Sequence, residues 1–471
     1  MAITWFRAGW IAPVSGPPIK NGFIGIEDGL IREVRSSEFS PPKTETLVDL
    51  GSWLLMPGLV DLHSRVETAL LGPHLANVDP HRRFKILTRL GYKVMTVEDH
   101  QVAAAWSVAR SIRSGVTAVA DVGSQDSTPR LLASSGLCTH FYVEFSGPHP
   151  VQAEDRLQRG ARAAVRLRND LAETVTLGLA PAGLHAVSRA LLTRTVPIAR
   201  REQLDLCLPL AQNPAEADLI RTATGPLADL LAERRVPLTP YGVSPIQFLE
   251  ATGFLAMGPL IPLALPLEAA DRVILKNHPC RLAFAPSVIS GHNPRGASDG
   301  TTSLISQEDL RADLKFPDVS GIGSGSAPGG GGADLFETAR CLAASWDPPD
   351  PANLLAAMTH GGASGLGRGA ELGTLETGKR ASLIAIDLAD RVDGWPDVQN
   401  PIASLMAHAS SDHVAMTMID GSISYQRDGI DPLDRMRESW PLDGPPPNFE
   451  KGIRDLGRRL AGFLSDPRNA K

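Results

Sequence analysis

The sequence is poor in cysteine, has no excess of basic residues and lacks a long uninterrupted apolar segment. Its four cysteines, Cys138, Cys207, Cys280 and Cys341, lie far apart and form no CxxC pair, so neither a disulfide framework nor a thiolate zinc site is indicated. The formal net charge of -6 argues against nucleic acid and anionic lipid as partners. The uncharged stretch from Ala251 to Leu267 is interrupted by three prolines and is too short for a membrane helix, which needs about 20 apolar residues. A buried strand is the better prediction there.

Targeting signals are also missing. The N-terminus has no basic region followed by an apolar run and a small-residue cleavage site, so we expect a cytoplasmic protein. Hydrophobic residues make up 43% and charged residues 21% of the 471 residues, which is ordinary for a globular protein. A chain of this length has room for more than one domain, although barrel domains often reach roughly 250 residues as one unit.

The two ends of the chain are rich in predicted strands. Near the N-terminus, Asp28 and Gly29 lie between the alternating apolar residues of the segment from Ile24 to Ile31, which predicts a hairpin. Strand-like patterns return at residues 381–387 and 414–421. These β-rich flanks bracket the middle of the chain.

Between the flanks, short apolar segments alternate with helical patterns. Helices are predicted at residues 102–114, where the apolar spacing follows the helical period, and at residues 333–344. This alternation favours an α/β protein with parallel βα units, most simply a closed (β/α)8 TIM barrel. The predicted strands are residues 116–122, 141–145, 175–180, 204–210, 260–265 and 282–286.

The C-terminal tail differs from the rest of the chain. Three consecutive prolines at positions 445–447 interrupt it, and Phe449, Ile453, Leu456 and Leu460 then fall on one face of a predicted helix. We expect this helix to dock on the protein's own barrel, with binding to a partner as the alternative.

The segment from Met56 to Arg65, MPGLVDLHSR, carries the strongest functional signal. His63 stands where a metal-binding strand would place its first imidazole, and Arg65 follows two residues later on the same face of an extended strand. A guanidinium cannot be deprotonated in a protein and offers only donors, so Arg65 cannot ligate a cation. Because an unpaired interior charge is costly, we expect Arg65 to have a partner such as Glu67, Glu144, backbone carbonyls or a ligand. The segment predicts a metal-binding strand with one ligand missing.

Three segments of the chain resemble the amidohydrolase superfamily, and in particular its chlorohydrolase and aminohydrolase branch, which acts on cyclic amidines and triazines. They are residues 49–63, 113–121 and 372–381, which occur in the family's order and extend the resemblance over residues 15–425. The resemblance implies a TIM barrel joined to a small β-sandwich that is built from both chain ends.

The same resemblance implies a division of the chain. The expected parts are an N-terminal part of the sandwich at residues 1–56, the barrel at 57–365, a C-terminal part of the sandwich at 366–430 and a helical tail at 431–471.

The resemblance also implies a zinc or iron ion that lowers the pKa of a bound water. The family's ligands are two histidines on the first strand, one on the fifth, one on the sixth and an aspartate on the eighth. In this chain the corresponding positions hold His63 and Arg65 on the first strand, Pro209 on the fifth, Leu263 or a neighbour on the sixth and Ser324 on the eighth.

Two further positions bear on proton transfer and on the ligand register. Gln212 stands where a catalytic glutamate would follow the fifth strand, and a glutamine amide has no proton to exchange in general acid–base work. On the fourth strand Ala182 stands at a position where the family often carries a substrate-contacting histidine, and His185 lies three positions beyond it. A shifted register would make His185 a ligand, and an ordinary structural role is the alternative.

Together these substitutions predict a vestigial pocket of His63, Arg65, His185, Gln212 and Ser324. We expect no catalytic residue, no metal and no cofactor, because one remaining imidazole cannot hold a catalytic zinc, which needs about three protein ligands. The predicted function is a noncatalytic subunit or a small-molecule-binding pseudoenzyme, and whether the protein is an enzyme stays open.

The alternative function is a hydrolase or deaminase that acts on non-peptide C–N or C–Cl bonds of a cyclic amidine or a related small molecule. It would use zinc or iron if the ligand register is misread. The expected partners are a small molecule or an active partner subunit, within a homo- or hetero-oligomer, and neither nucleic acid nor membrane.

Overall fold

The computed structural model of the protein describes residues 3–75, 94–171, 175–210, 215–263, 267–285, 320–325, 334–343 and 350–466. Its strands are β1 (Thr4–Arg7), β2 (Trp10–Ile11), β3 (Ile19–Lys20), β4 (Phe23–Glu27), β5 (Leu30–Arg35), β6 (Thr46–Asp49), β7 (Leu54–Pro57), β8 (Leu59–Ser64), β9 (Val116–Gly123), β10 (Cys138–Phe145), β11 (Val175–Pro181), β12 (Asp205–Leu206), β13 (Leu260–Leu263), β14 (Arg281–Phe284), β15 (Gly321–Ile322), β16 (Leu383–Ile386), β17 (Val414–Ile419) and β18 (Ser422–Gln426). Its α-helices are α1 (Gly72–Leu75), α2 (Val97–Arg113), α3 (Ser127–Ser134), α4 (Ala153–Leu171), α5 (Arg189–Glu202), α6 (Ala215–Thr222), α7 (Pro226–Glu233), α8 (Pro245–Ala251), α9 (Ala269–Lys276), α10 (Leu335–Ala343), α11 (Pro351–Ala356), α12 (Gly362–Gly365), α13 (Pro401–His408), α14 (Pro432–Glu438) and α15 (Phe449–Ser465).

Strands from both ends of the chain form one six-stranded sheet, in the order β18-β17-β16-β7-β2-β3. Its two halves meet where β16 pairs antiparallel with β7, so that Leu383 lies opposite Pro57. The β-rich flanks predicted from the sequence therefore combine in space, although more than 300 residues separate these two positions along the chain.

The other N-terminal strands form a four-stranded sheet in the order β5-β4-β1-β6. The predicted hairpin is confirmed, because β4 and β5 are joined at Asp28 and Gly29. Their φ angles of 52° and 76° are the left-handed values that a two-residue hairpin turn requires. Apolar side chains of both sheets share one buried cluster, which includes Phe6, Ile24 and Leu383.

The middle of the chain contains parallel strands, which confirms the α/β class. Strands β8 to β12 form a five-stranded parallel sheet in chain order, and β13 to β15 form a three-stranded parallel sheet. Single bridges from Cys207 to Leu260 and from Leu210 to Leu263 lie between the two sheets. Strand β12 is shorter than predicted; Pro209, within the predicted segment, has no N–H group for a ladder hydrogen bond.

Helices pack against these parallel strands and bury their apolar faces. Helix α2 begins with a capping box, in which Thr96 and Asp99 exchange side-chain to backbone hydrogen bonds, so it starts before the predicted residue 102. Its buried Val108 and Ile112 belong to the same apolar cluster as Val119 of β9.

The C-terminal helix α15 docks on the protein itself, as predicted. Leu456 and Leu460 belong to a buried cluster with Leu75, and Arg459 forms an ion pair with Asp99 of α2. Within the described ranges, no helix has both the length and the apolar character that crossing a membrane requires.

Candidate functional site

Strands β8 and β15 bring two of the predicted pocket residues together. Asp61 connects them, because it accepts hydrogen bonds from the backbone N–H groups of His63 at 3.0 Å and of Ser324 at 2.9 Å. Ser324 Oγ donates to the second oxygen of Asp61 at 2.5 Å. Gly323 permits this close approach, since a Cβ atom there would lie 2.6 Å from the backbone nitrogen of His63. His63 and Ser324 therefore form one buried cluster with Asp61, whose pKa is raised by burial to about 6.

Arg65 lies just after β8 and forms an ion pair with Glu144 of β10. Its Nη1 atom is 2.7 Å from Glu144 Oε1, and 18% and 20% of the two side chains are exposed. Burial acts to lower the pKa of Arg65, but the charge and the hydrogen bond of Glu144, together with smaller contributions from Cys207 and Glu67, outweigh this effect and raise the pKa above its ordinary value. The prediction that Arg65 has a partner is confirmed, with Glu144 in that role, and the guanidinium remains charged.

The imidazole of His63 is neutral. Burial, reinforced by the positive charge of Arg65, lowers the pKa of His63 to about 3. A neutral imidazole keeps one nitrogen lone pair, so His63 has the protonation state that a metal ligand or a hydrogen-bond acceptor needs.

Asp121 of β9 fixes the chain on either side of Arg65. It accepts hydrogen bonds from Ser64 Oγ at 2.5 Å and from the backbone N–H of Val66 at 2.9 Å. Glu67, the other carboxylate named as a possible partner of Arg65, instead accepts hydrogen bonds from the loop after β9 and from Thr128 in the first turn of α3. The backbone that carries Arg65 is therefore held by two buried carboxylates.

The raised pKa of Asp121 leads us to expect that the stability of the protein depends on pH. Burial raises the pKa of Asp121 from 3.8 to about 7. Because the folded-state pKa is the higher one, the stability that this carboxyl contributes is fully present below about pH 4 and is lost as the pH rises through about 7. We expect Asp121→Asn to reduce the fall in the free energy of unfolding between about pH 5 and about pH 8, measured by urea denaturation. An unchanged slope in that variant would contradict the assignment.

His185 lies at the same end of the parallel strands, on the turn Leu184–Ala186 after β11. Its Nδ1 atom is 3.4 Å from Oε1 of Glu216, a buried residue in the first turn of α6. The backbone N–H of Gly147 donates to the carbonyl of Ala186 at 2.9 Å and so fixes this turn against the end of β10. The sequence indicated His185 but not Glu216, because nothing in the sequence pairs the two residues.

The described residues do not fit a zinc ion held by the family's ligand set. Pro209 and Leu263 offer no ligating group, Arg65 replaces the second imidazole beside His63, and Gln212 lies outside the described residues. Across the described part of the chain, no group of three or more His, Cys, Asp or Glu side chains is arranged to hold a metal ion.

Comparisons with known proteins identify relatives along most of the chain. The sequence model of the Amidohydrolase family matches residues 54–424. A 5-methylthioadenosine/S-adenosylhomocysteine deaminase of Moorella thermoacetica is 24% identical over 440 residues, which are 90% of this chain and 94% of the relative. A deaminase of the same name from Nitratidesulfovibrio vulgaris is 26% identical over 437 residues, which are 86% of this chain and 88% of the relative.

Solved structures share the fold at lower identity. An adenosine deaminase from Xanthomonas campestris with bound zinc has a TM-score of 0.72 at 19% identity, over 98% of this chain and 99% of that one. An atrazine chlorohydrolase from Arthrobacter aurescens complexed with zinc has a TM-score of 0.71 at 18% identity, over 97% and 100% of the two chains. At these identities the likeness shows the fold alone.

These zinc-bound neighbours correct one expectation from the sequence. The expectation of no cofactor is wrong, because solved structures of this fold hold zinc and a metal is therefore expected in the family. The sequence argument counted side chains at inferred strand positions only, whereas a metal site is a property of the whole folded pocket.

Proposed function

Because the chain belongs to the amidohydrolase family, we propose that it is a hydrolase or deaminase. Its substrate would be a cyclic amidine or a related small molecule with a non-peptide C–N or C–Cl bond. The observation that carries this proposal is the similarity to a deaminase along 90% of this chain and 94% of that relative. The adenosine deaminase and the atrazine chlorohydrolase with the same fold support the two bond types.

The proposal also includes the arrangement of the parallel strands and of the two remaining sheets. We propose that the parallel strands close into a (β/α)8 barrel and that the two remaining sheets form a β-sandwich. The bridges from Cys207 and Leu210, which follow β12, to strand β13 support closure, as does the hydrogen bond from Gly325 N to His63 O at 2.8 Å. The shared apolar cluster supports the sandwich. The proposed boundaries remain residues 1–56, 57–365, 366–430 and 431–471.

The polar groups at the C-terminal ends of the strands suit a small polar ring. Glu144 has carboxylate oxygens that accept hydrogen bonds from ring N–H or amino groups, and Arg65 has several donors. Both side chains keep about a fifth of their surface exposed, so a ligand can reach them. Active sites of TIM-barrel enzymes lie at this end of the strands.

The second candidate function is binding without turnover, as a small-molecule-binding protein or a noncatalytic subunit. The observation that favours it is the Arg65–Glu144 ion pair at 2.7 Å, which places a guanidinium beside His63 where the resemblance implies a second imidazole. A fold alone cannot choose between the two functions.

A substrate panel distinguishes the two candidates. We expect the purified protein, assayed as isolated and after incubation with zinc, to release ammonia or chloride from at least one of 5′-methylthioadenosine, S-adenosylhomocysteine, adenosine, guanine and atrazine. In parallel, a ligand at 100 times its Kd should stabilise the fold by about 2.7 kcal/mol. Binding without product would favour the second candidate, and neither binding nor product would contradict both. The control variant Arg159→Met removes one side of the exposed ion pair with Asp155. It should behave as the wild type in both the product assay and the stability measurement.

The remaining expectations stay predictions from the sequence. They are an oligomeric state, an active partner subunit, the absence of a nucleic-acid or membrane partner, and a cytoplasmic location.

A further inference from the structure

We propose that His185 and Glu216 form a proton-transfer dyad of the candidate site, with His185 as the general base and Glu216 as the positioning residue. This inference deepens the proposed hydrolase function and rests on it. In the register given above, neither residue is at a position where the resemblance implies a metal ligand or a proton shuttle.

The first argument is the pairing itself. Nδ1 of His185 lies 3.4 Å from Oε1 of Glu216, and the two side chains are 16% and 3% exposed. A buried carboxylate beside one imidazole nitrogen fixes the ring orientation and the tautomer, so that the other nitrogen acts as a base.

The second argument is that the local backbone is built to hold the pair. Gly183 has a φ of 110°, and a Cβ atom there would lie 2.9 Å from Cε1 of His185 and 3.4 Å from Oε1 of Glu216. A side chain at residue 183 would therefore displace the imidazole. Glycine allows the ring to lie directly on the backbone and within reach of the carboxylate.

The third argument is the location of the dyad. The turn that carries His185 follows β11, and two backbone hydrogen bonds tie it to the end of β10: Ala182 N donates to Phe145 O at 3.0 Å, and Ser188 N donates to Gly147 O at 3.0 Å. Strand β10 also carries Glu144, next to Phe145. The dyad therefore lies at the same end of the strands as the Arg65–Glu144 pair.

The proposed step is hydrolysis of an amidine C–N bond. The imidazole of His185 accepts a proton from water as the water oxygen bonds to the amidine carbon. The imidazolium then returns this proton to the exocyclic nitrogen, which leaves as ammonia when the C–N bond breaks. The second water proton goes to the ring nitrogen, and the carbon becomes a carbonyl. Water is consumed, ammonia is released, and no oxidant or reductant is needed.

The test combines a chemical labelling rate with steady-state kinetics. Carbethoxylation of each histidine is followed over time at one pH by peptide mass spectrometry in the full-length protein. We expect Glu216→Gln to change the labelling rate of His185, because the imidazole loses the carboxylate that holds one of its nitrogens. Glu250→Gln is the control, because Glu250 forms a more exposed pair with His278 at 3.5 Å, just ahead of β14 at the other end of the strands, and it should leave His185 unchanged.

The kinetic part uses the substrate found in the panel. His185→Gln should lower kcat by about 10²- to 10⁴-fold without a comparable change in KM. An unchanged labelling rate of His185 in Glu216→Gln, or an unchanged kcat in His185→Gln, would overturn the dyad. Absence of product from the wild-type protein would overturn the proposed function and the catalytic role with it, whereas the labelling rate separately reports whether the pair forms.

Discussion

Replacing Arg65 by methionine is expected to lower the free energy of unfolding by about 3–5 kcal/mol, because it leaves the mostly buried Glu144 without its counter-charge. The reverse change, Glu144→Gln, should destabilise the protein for the same reason. Both effects follow from the 2.7 Å contact and the low exposure of the two side chains. Urea denaturation monitored by circular dichroism measures them.

A double variant shows whether the loss belongs to the pair. Arg65→Met combined with Glu144→Leu should recover most of the lost stability, because apolar residues of similar volume often replace a buried ion pair without loss. Additive losses in the double variant would contradict a direct interaction. A melting temperature unchanged in Arg65→Met would mean that Arg65 is merely solvated.

A second large effect is expected at the opposite end of the parallel strands. There, Arg281 Nη2 contacts Asp205 at 2.6 Å, Tyr142 OH donates to Asp205 at 2.8 Å, and the rings of His140 and Tyr142 stack at 4.3 Å. Asp205→Ala would leave the phenol hydroxyl without its acceptor and the guanidinium without its counter-charge, although Arg281 would keep its hydrogen bonds to the carbonyls of Gly258 and Gly365. We expect a loss of about 3–5 kcal/mol in the free energy of unfolding.

Two further variants keep this prediction testable. Asp205→Asn retains the size of the side chain and part of its hydrogen bonding, so it should destabilise less and remain folded. Asp155→Ala removes an exposed ion pair on α4, in which 65% and 56% of the side chains are accessible, and should change stability by less than about 1 kcal/mol. Equal losses of unfolding free energy in Asp205→Ala and Asp155→Ala would show that the buried contacts of Asp205 contribute nothing to stability.

Local patterns predicted the parts of the fold that depend on neighbouring residues. The hairpin at Asp28 and Gly29 was predictable because few residues tolerate its left-handed backbone angles. The strand at Val116 was predictable from its apolar run. The start of α2 was missed because the capping residue Thr96 lies ahead of the apolar pattern, and a capping box adds a turn that periodicity does not reveal.

The candidate site was only partly predictable, because its contacts join distant segments. The sequence placed Arg65 beside His63 and gave Glu144 as one of several possible partners, since an unpaired interior charge is costly. It could not show that Asp61 binds Ser324, which lies 263 residues away, or that Glu216 reaches His185. Such pairs depend on strand register and on the paths of loops, which spacing along the chain does not encode. The expectation of no cofactor failed for the same reason, because it relied on inferred strand positions.

Hydrolysis in water enriched with ¹⁸O tests the central claim most directly. If the protein is a hydrolase or deaminase of a small cyclic molecule, mass spectrometry will find the product with one ¹⁸O atom at the carbon that lost its amino group or chlorine, and the label will be absent from a control without protein. No product from any compound of the panel, or a product without the label, would contradict the claim.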